Sequence, residues 1–332
     1  MKKQLTIIIM IITLSALLPS CRDMIADFEE YSRDDIEDLV YVRISNGATL
    51  GGLYVSRDNG VSFKQISSLN YPFAADQFGN IIFVNPGLNI YMRDNDGDFV
   101  SLGTYAGTSQ AAAAGDGTIY IGGSSMYRWK YKKSIINYSD MIDQITSPPT
   151  AIADDWFHVL SHNDKKIIML YDGGSGYVSS DNGNVYTLTT GMTDILNLDS
   201  NTLLGVNNTI GNTIFKSEDG GASFTQFAAL PLGGNTASEI AIDSNGRIFV
   251  TSPAITNIVY SDGDLNTWNT SINALPFSPA IFEAGKEGRL FISDGGNADL
   301  YFTDDSGNSF GILYSFPHPI YDIQTLKGVL RD

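Results

Sequence analysis

The sequence predicts an all-β chain folded as a β-propeller, most simply of seven four-stranded blades, and three observations carry that expectation. The first is a turn octad, S/T-x-D-x-G-x-x-aromatic, seen in Ser217-Glu218-Asp219-Gly220-Gly221-Ala222-Ser223-Phe224. It recurs as Ser56, Asp58, Gly60 and Phe63; as Ser179, Asp181, Gly183 and Tyr186; and as Thr303, Asp305, Gly307 and Phe310. The second is a turn followed by a run of β-formers ahead of the octads. Gly79-Asn80-Ile81-Ile82-Phe83-Val84, Gly117-Thr118-Ile119-Tyr120-Ile121, Gly246-Arg247-Ile248-Phe249-Val250 and Gly288-Arg289-Leu290-Phe291-Ile292 are the copies with glycine. Neighbouring copies fall about 40 residues apart, the length of two hairpins and so of one blade. The third is that the two ends complement each other. Leu39-Val40-Tyr41-Val42-Arg43-Ile44 starts a blade without an inner strand, and Ile320-Tyr321-Asp322-Ile323-Gln324-Thr325-Leu326 reads as an inner strand without a blade. Pairing the two removes an exposed sheet edge.

Each octad makes sense as the turn of a tight hairpin. The Ser or Thr and the Asp side chains accept hydrogen bonds from backbone N–H groups inside such a turn. Glycine supplies a backbone angle that other residues resist. The aromatic opens the return strand and is expected to pack back over the turn. Degenerate copies bring the second hairpins to seven, near Asp58, Asp94, Trp129, Asp181, Asp219, Gly263 and Asp305; six or eight blades also fit the spacing. Short Pro-bearing stretches such as Tyr71-Pro72-Phe73, Leu230-Pro231-Leu232, Leu275-Pro276-Phe277 and Phe316-Pro317-His318-Pro319 mark blade-to-blade crossings, where proline removes no ladder hydrogen bond. Ser134 to Asp155, with Pro148-Pro149, reads as the longest crossing and a candidate lid.

These octads resemble the Asp-box, or bacterial-neuraminidase repeat, of sialidases, some endoglucanases and sortilin-like receptors. The resemblance implies a sialidase-like propeller in which the Asp-box is a structural turn away from the active site. It stops short of the catalytic motif. A sialidase requires an arginine triad, a Tyr nucleophile paired with Glu, and a carboxylic acid/base, with the first arginine in an [FY]-R-I-P motif. The nearest stretch here, Val42-Arg43-Ile44-Ser45, lacks both the aromatic and the Pro. Arg57 and Arg93 fall in octad turns, and Arg247 and Arg289 in first-hairpin turns, all at the end opposite the usual active site.

Composition narrows the partners. With 37 acidic and 20 basic residues the 332-residue chain carries a net charge of −17, a surface that repels nucleic acid and anionic headgroups. Residues 1–20 read as an export signal, with Lys2 and Lys3 before the apolar run Leu5 to Leu18. Leu18-Pro19-Ser20-Cys21 resembles a bacterial lipobox, and Cys21 is the chain's one cysteine. Lipidation there anchors the protein to a membrane and leaves the rest without disulfides. Residues 21–38 form an acidic tether, and 39–332 the propeller. Arg22, rather than Asp, follows the lipidated position, which points to the outer membrane of a Gram-negative-type envelope.

The candidate chemistry is sparse. Asp94-Asn95-Asp96-Gly97-Asp98 spaces carboxylates like a calcium loop, but Phe99 and Tyr105 stand where the Gly and Glu of an EF-hand belong. His158 and His162 are four apart, which on a strand separates them by about 13 Å, too far for one metal. No metal and no cofactor are therefore expected. Met126-Tyr127-Arg128-Trp129-Lys130-Tyr131-Lys132-Lys133 alternates aromatic and basic residues, the pattern of a packed face under a solvated one. Asp172-Gly173-Gly174 and Asp294-Gly295-Gly296 occupy the same loop of two blades nearly opposite across the funnel. Two facing carboxylates suit a glycosidase, and Asp-Gly-Gly is also ordinary turn chemistry. Trp156 and His318 flank crossings at that same end, where exposed rings suit glycan or peptide contact. Asp172, Asp294, Trp156 and His318 are thus the candidate ligand residues. The expected function is a lipid-anchored binding or scaffold module for a protein or glycan, with a sialidase-like glycoside hydrolase as the alternative.

Overall fold

The computed structural model describes residues 39–326, apart from 48–50, 77–79, 86–88, 94–98, 106–107, 115–116, 124, 131–140, 146–155, 163–164, 173–174, 180, 182–184, 200, 208, 244, 286–288 and 306. Cys21, the leader, the tether, Gly183 and the Asp94–Asp98 loop lie outside the described residues. The 28 strands form seven antiparallel four-stranded sheets. Each blade is a meander, opened by its inner strand in blades 2 to 7, and the inner strands are Ile320–Leu326, Phe73–Ala75, Thr108–Ala113, Trp156–His162, Asp194–Asn197, Glu239–Ile242 and Ile281–Ala284 for blades 1 to 7.

Blade 1 is completed by both ends of the propeller. Its inner strand Ile320–Leu326 pairs with Leu39–Ser45 in antiparallel register, Val42 opposite Ile323 and Tyr41 opposite Gln324. The closing strand expected from the sequence is therefore present, and the ring is sealed by hydrogen bonds between distant parts of the chain.

The core is distributed around the ring. The described buried residues form seven apolar clusters, and each straddles one blade boundary. Blades 7 and 1, for example, share Val40, Val42, Phe291, Leu300 and Ile323, while blades 5 and 6 share Leu204, Ile214, Leu232, Ile240 and Val250. The second strand of a blade is covered on both faces by this arrangement. Ile81–Val84, Leu203–Val206, Ile248–Thr251 and Leu290–Ser293 are buried at every position. That is why they read as continuous β-former runs rather than alternating ones.

Two expectations are amended. The octad aromatic does more than cover its own turn, where Phe310 lies 3.3 Å from the position a Gly307 Cβ would take: the ring also reaches the preceding blade. Phe63 meets Tyr314 and Phe316 of the seventh blade and its exit at ring centroid distances of 5.1 and 5.0 Å. Phe224, Phe310 and Tyr186 likewise enter the cluster shared with the blade before their own. A propeller blade twists along its strands, so the outer hairpin leans onto its neighbour. The second correction concerns residues 134–155, which are not one crossing. Ile142–Ile145 is the outer strand of blade 3, paired with Met126–Lys130, and Trp129 lies within that partner strand rather than at the turn. Four residues with two central polar side chains were too short a signal to separate from a loop.

Candidate functional site

The meander places two kinds of connection at each end of the ring. At one end lie the turns joining first to second and third to fourth strands; at the other lie the second-to-third loops and the crossings to the next blade.

The turn end is held by the octads. Ser56 Oγ donates to Asp58 Oδ1 (2.7 Å) and accepts from Gly60 N–H (2.7 Å), while Asp58 Oδ1 accepts from Ser62 N–H (2.8 Å). Ser217 with Asp219 (2.8 Å) and Thr303 with Asp305 (2.7 Å) repeat the pattern, closed by Gly221 and Gly307 N–H at 2.8 and 3.0 Å. Ser179 donates to Asp181 (2.7 Å), which accepts from Val185 N–H (2.9 Å). The hydroxyl residues Ser56, Ser179, Ser217 and Thr303 are each 1% exposed, so each turn hangs on a buried donor–acceptor. Hydrogen bonds from Ser62, outweighing burial, hold the Asp58 carboxyl below its ordinary value. Burial pushes Asp219 and Asp305 upward, but the bonds from Ser223 and Ser217, and from Ser309 and Thr303, prevail and leave both lowered. Gly60 has φ +86°, and a Cβ there would stand 2.5 Å from Leu313 of blade 7, so both conformation and contact demand glycine.

Blade 6 carries a turn that the octad pattern half missed. Ser261 is retained, but the carboxylate arrives one position late: Asp264 accepts from Ser261 Oγ (3.3 Å) and from Asn266 and Thr267 N–H (3.1 and 3.0 Å). The arginines of this end are structural too. Arg247 Nε donates to Asp262 (2.6 Å), and Arg289 binds Asp304 and reaches the Asn59 carbonyl of blade 1 (2.7 Å).

The backbone places all four candidate ligand residues at the crossing end. Trp156 begins the inner strand of blade 4, and Asp172 ends the second strand of that blade, opposite Ser175; the side chains of both lie outside the described residues. Asp294 opens the second-to-third loop of blade 7, and His318 lies in the adjoining crossing into blade 1. Loop and crossing are joined, since Ile320 N–H donates to the Asn297 carbonyl (3.0 Å) and Phe316 N–H to that of Ala298 (2.8 Å). Asp294 itself accepts from Gly296 N–H (2.9 Å), Asn297 N–H (2.7 Å) and the Asn297 amide. Its carboxylate therefore closes its own turn.

The groups that face the channel are others. Asp194, Glu239, Glu283 and Asp322 sit on the inner strands of blades 5, 6, 7 and 1, four consecutive positions around the ring. Each inner strand is the edge of its sheet, and these carboxyls cap the neighbouring edge. Asp194 Oδ2 accepts from Ile240 N–H of blade 6 (2.8 Å), and Glu283 Oε2 accepts from Thr325 Oγ1 of blade 1 (3.3 Å). Gln324 continues the sequence to the Phe73 carbonyl of blade 2 (3.1 Å) and also donates to Asp322 (3.1 Å). Burial first, then Asp194, Glu283 and Asp322, push the Glu239 carboxyl well above its ordinary value against the Phe282 N–H. Asp322 is also raised: burial outweighs Arg43, whose Nε lies 3.9 Å away. Asp322 keeps 29% of its side-chain surface open, yet the protein surrounding its carboxyl governs its proton affinity. Beside it Tyr321, 52% exposed, lies under the Arg43 guanidinium at 5.8 Å.

Sequence reasoning passed over this belt. A signal existed: a carboxylate within the first three residues of four consecutive inner strands, recurring about every 40 residues, the blade period. Among the described residues, no group of three or more His, Cys, Asp and Glu is arranged to hold a metal ion.

No family model and no curated protein matches the chain. Solved structures do. Sqt1 from Saccharomyces cerevisiae superposes with a TM-score of 0.62 at 10% identity, covering 84% of this chain and 83% of that one. Virginiamycin B lyase from Staphylococcus aureus gives 0.57 at 14%, covering 88% and 97%. The WD40 β-propeller domain of Doa1 gives 0.53 at 10%, covering 76% and 84%. At these identities the likeness establishes the seven-bladed β-propeller and nothing of the chemistry.

Proposed function

We propose that this protein is an exported, lipid-anchored binding module that receives a cationic segment of a protein partner at the crossing end of its channel. The observation that carries the reading is the belt of Asp194, Glu239, Glu283 and Asp322, with half-exposed Tyr321 at its rim, opposite an end where Asp58, Asp219 and Asp305 are engaged in turns and Asp262 and Asp304 in arginine pairs. Incomplete neutralisation of the belt by Arg43 favours Lys, Arg or an amino terminus as the entering group. Tyr321 offers an aromatic face for such a cation. The lipobox at Cys21 supports anchoring, and Arg22 after it supports the outer membrane.

Calorimetry with lysine-rich and glutamate-rich peptides of equal length tests the reading. The lysine-rich peptide should bind, and a Tyr321→Ala, Glu283→Gln variant should lose that binding while Asp219→Ala keeps it. Equal binding by all three proteins, or no binding at all, contradicts the channel as the site. For the anchor, Cys21→Ala should move the protein from the membrane fraction to the soluble one.

A second reading has its own observation. Burial raises the Glu239 carboxyl beside Asp194 and Glu283, and a raised acid next to a second carboxyl is the pairing a glycoside hydrolase uses. Release of sugar from oligosaccharides, abolished by Glu239→Gln, would favour it over the binding module.

A further inference from the structure

Three arginines share one arrangement, a guanidinium set between an aspartate carboxyl and an aromatic ring. Two of them are closed. Arg247 Nε donates to Asp262 at 2.6 Å, with the Tyr260 ring 5.5 Å from its guanidinium. Arg289 is fixed by Asp304, by the Asn59 carbonyl and by the Phe302 ring at 5.4 Å. The third, Arg43, is open. Its Nε stops 3.9 Å from Asp322, beyond hydrogen-bond distance, and is buried without a hydrogen-bond partner among the described residues. Nη1 donates to the Asn70 carbonyl at a long 3.2 Å. The Tyr321 ring stands 5.8 Å away, near the outer limit of a cation–π contact.

The strand register explains why this copy is open. Arg43 pairs with Asp322, but its neighbour Ile44 pairs with Ile320, so Tyr321 is the extra residue of a β-bulge on the inner strand. The bulge leaves the ring half-exposed at the crossing end. Tyr260 and Phe302 instead stand opposite Phe249 and Phe291 in regular ladders and are half-buried. We propose that Arg43 is a resident cation, the protein's own occupant of the place that a partner's cation takes. A lysine, arginine or amino terminus arriving at Tyr321 and Asp322 displaces the Arg43 guanidinium from them. This rests on the binding reading above and names the residue that sets its affinity.

The geometry gives the exchange its sign. On leaving, Arg43 loses one long hydrogen bond and a distant ring, and frees a buried N–H that no acceptor satisfies. On staying, it sets a positive charge against any that arrives. Asp322 also accepts from the Gln324 amide at 3.1 Å, a bond that orients its carboxyl whichever cation stands beside it.

Calorimetry with the lysine-rich peptide tests the exchange on wild type and three variants, each checked for a cooperative urea transition. Arg43→Met keeps the aliphatic stem without the charge and should tighten binding about fivefold, the weight of one unit charge at close range in water. Arg43→Lys, which keeps the charge, should stay near wild type. So should Arg247→Met, which removes an equal charge at the other end of the ring. Unchanged or weaker binding by folded Arg43→Met overturns the exchange, as does equal tightening by Arg247→Met, which would make net charge the cause. The wild type gives a reading that depends on no variant: saturating peptide should shift the NMR signal of the Arg43 Nε proton. An unmoved signal overturns the exchange. Each of these results leaves the binding reading standing, whereas no binding by any of the four proteins overturns both.

Discussion

Asp219, at the turn end of blade 5, and Glu239, at the crossing end of blade 6, are both carboxyls at the end of a short strand, yet their titration moves in opposite directions. Asp219 is exposed and gathers bonds from Ser217 and Ser223, each of which favours the anion. Glu239 is half-buried, and desolvation together with three further carboxyls outweighs the Phe282 N–H. The difference teaches that donor count against burial, not residue type, decides what a carboxyl contributes. Where donors are many, ionisation fastens a turn. Where they are few, burial favours the neutral acid.

The largest effect that can break this comparison comes from removing the strand on which both ends depend. Deleting residues 320–332 strips blade 1 of its inner strand and the belt of Asp322. It should abolish cooperative melting followed by circular dichroism; an unchanged transition would show that ring closure is not what holds the blades together.

The next effect sits at the turn end. Ser217→Ala leaves the buried Gly221 N–H without its acceptor and should cost about 1–3 kcal/mol in urea unfolding. Asp219→Ala, at an exposed position, should cost about 1 kcal/mol. The lowered carboxyls of Asp58, Asp219 and Asp305 also fix the sign of the acid limb. Their stabilisation is present above the ordinary aspartate value and is lost as pH falls through the depressed one, the reverse of the belt. A stability curve that peaks between the two limbs would sharpen the contrast, and one rising steadily to alkaline pH would break it.

The smallest effect belongs to the crossing end. His318→Ala, at a half-buried position in the crossing, should change stability by no more than about 1 kcal/mol. Asp294→Ala should cost about 1 kcal/mol, because its carboxylate caps its own loop. A stability-neutral Asp294→Ala that weakened peptide binding would instead return Asp294 to the ligand surface.

Much of this architecture could be read from the residues because it repeats locally. The octads, the doubly buried second strands and the complementary ends each leave a pattern within a few positions, so fold, blade number and closure were all legible. What escaped reading depends on neighbours distant in sequence. Nothing around Phe63 says that its ring meets Tyr314, and nothing around Asp194 says that its partner is the Ile240 N–H. Asp264 was missed for a smaller reason, a carboxylate displaced by one residue that still finds its turn donors. Asp294 drew notice as one of a facing pair, while the carboxyls that look into the channel sit among apolar inner-strand residues and read as strand.

The measurement closest to the central claim is the side-chain carboxyl titration of Glu239 and Asp219 in the intact folded protein, followed by carbon NMR. Glu239 should titrate well above its ordinary value of 4.5 and Asp219 below its ordinary 3.8. A Glu239 midpoint at or below the ordinary glutamate value would contradict the division of labour between the two ends.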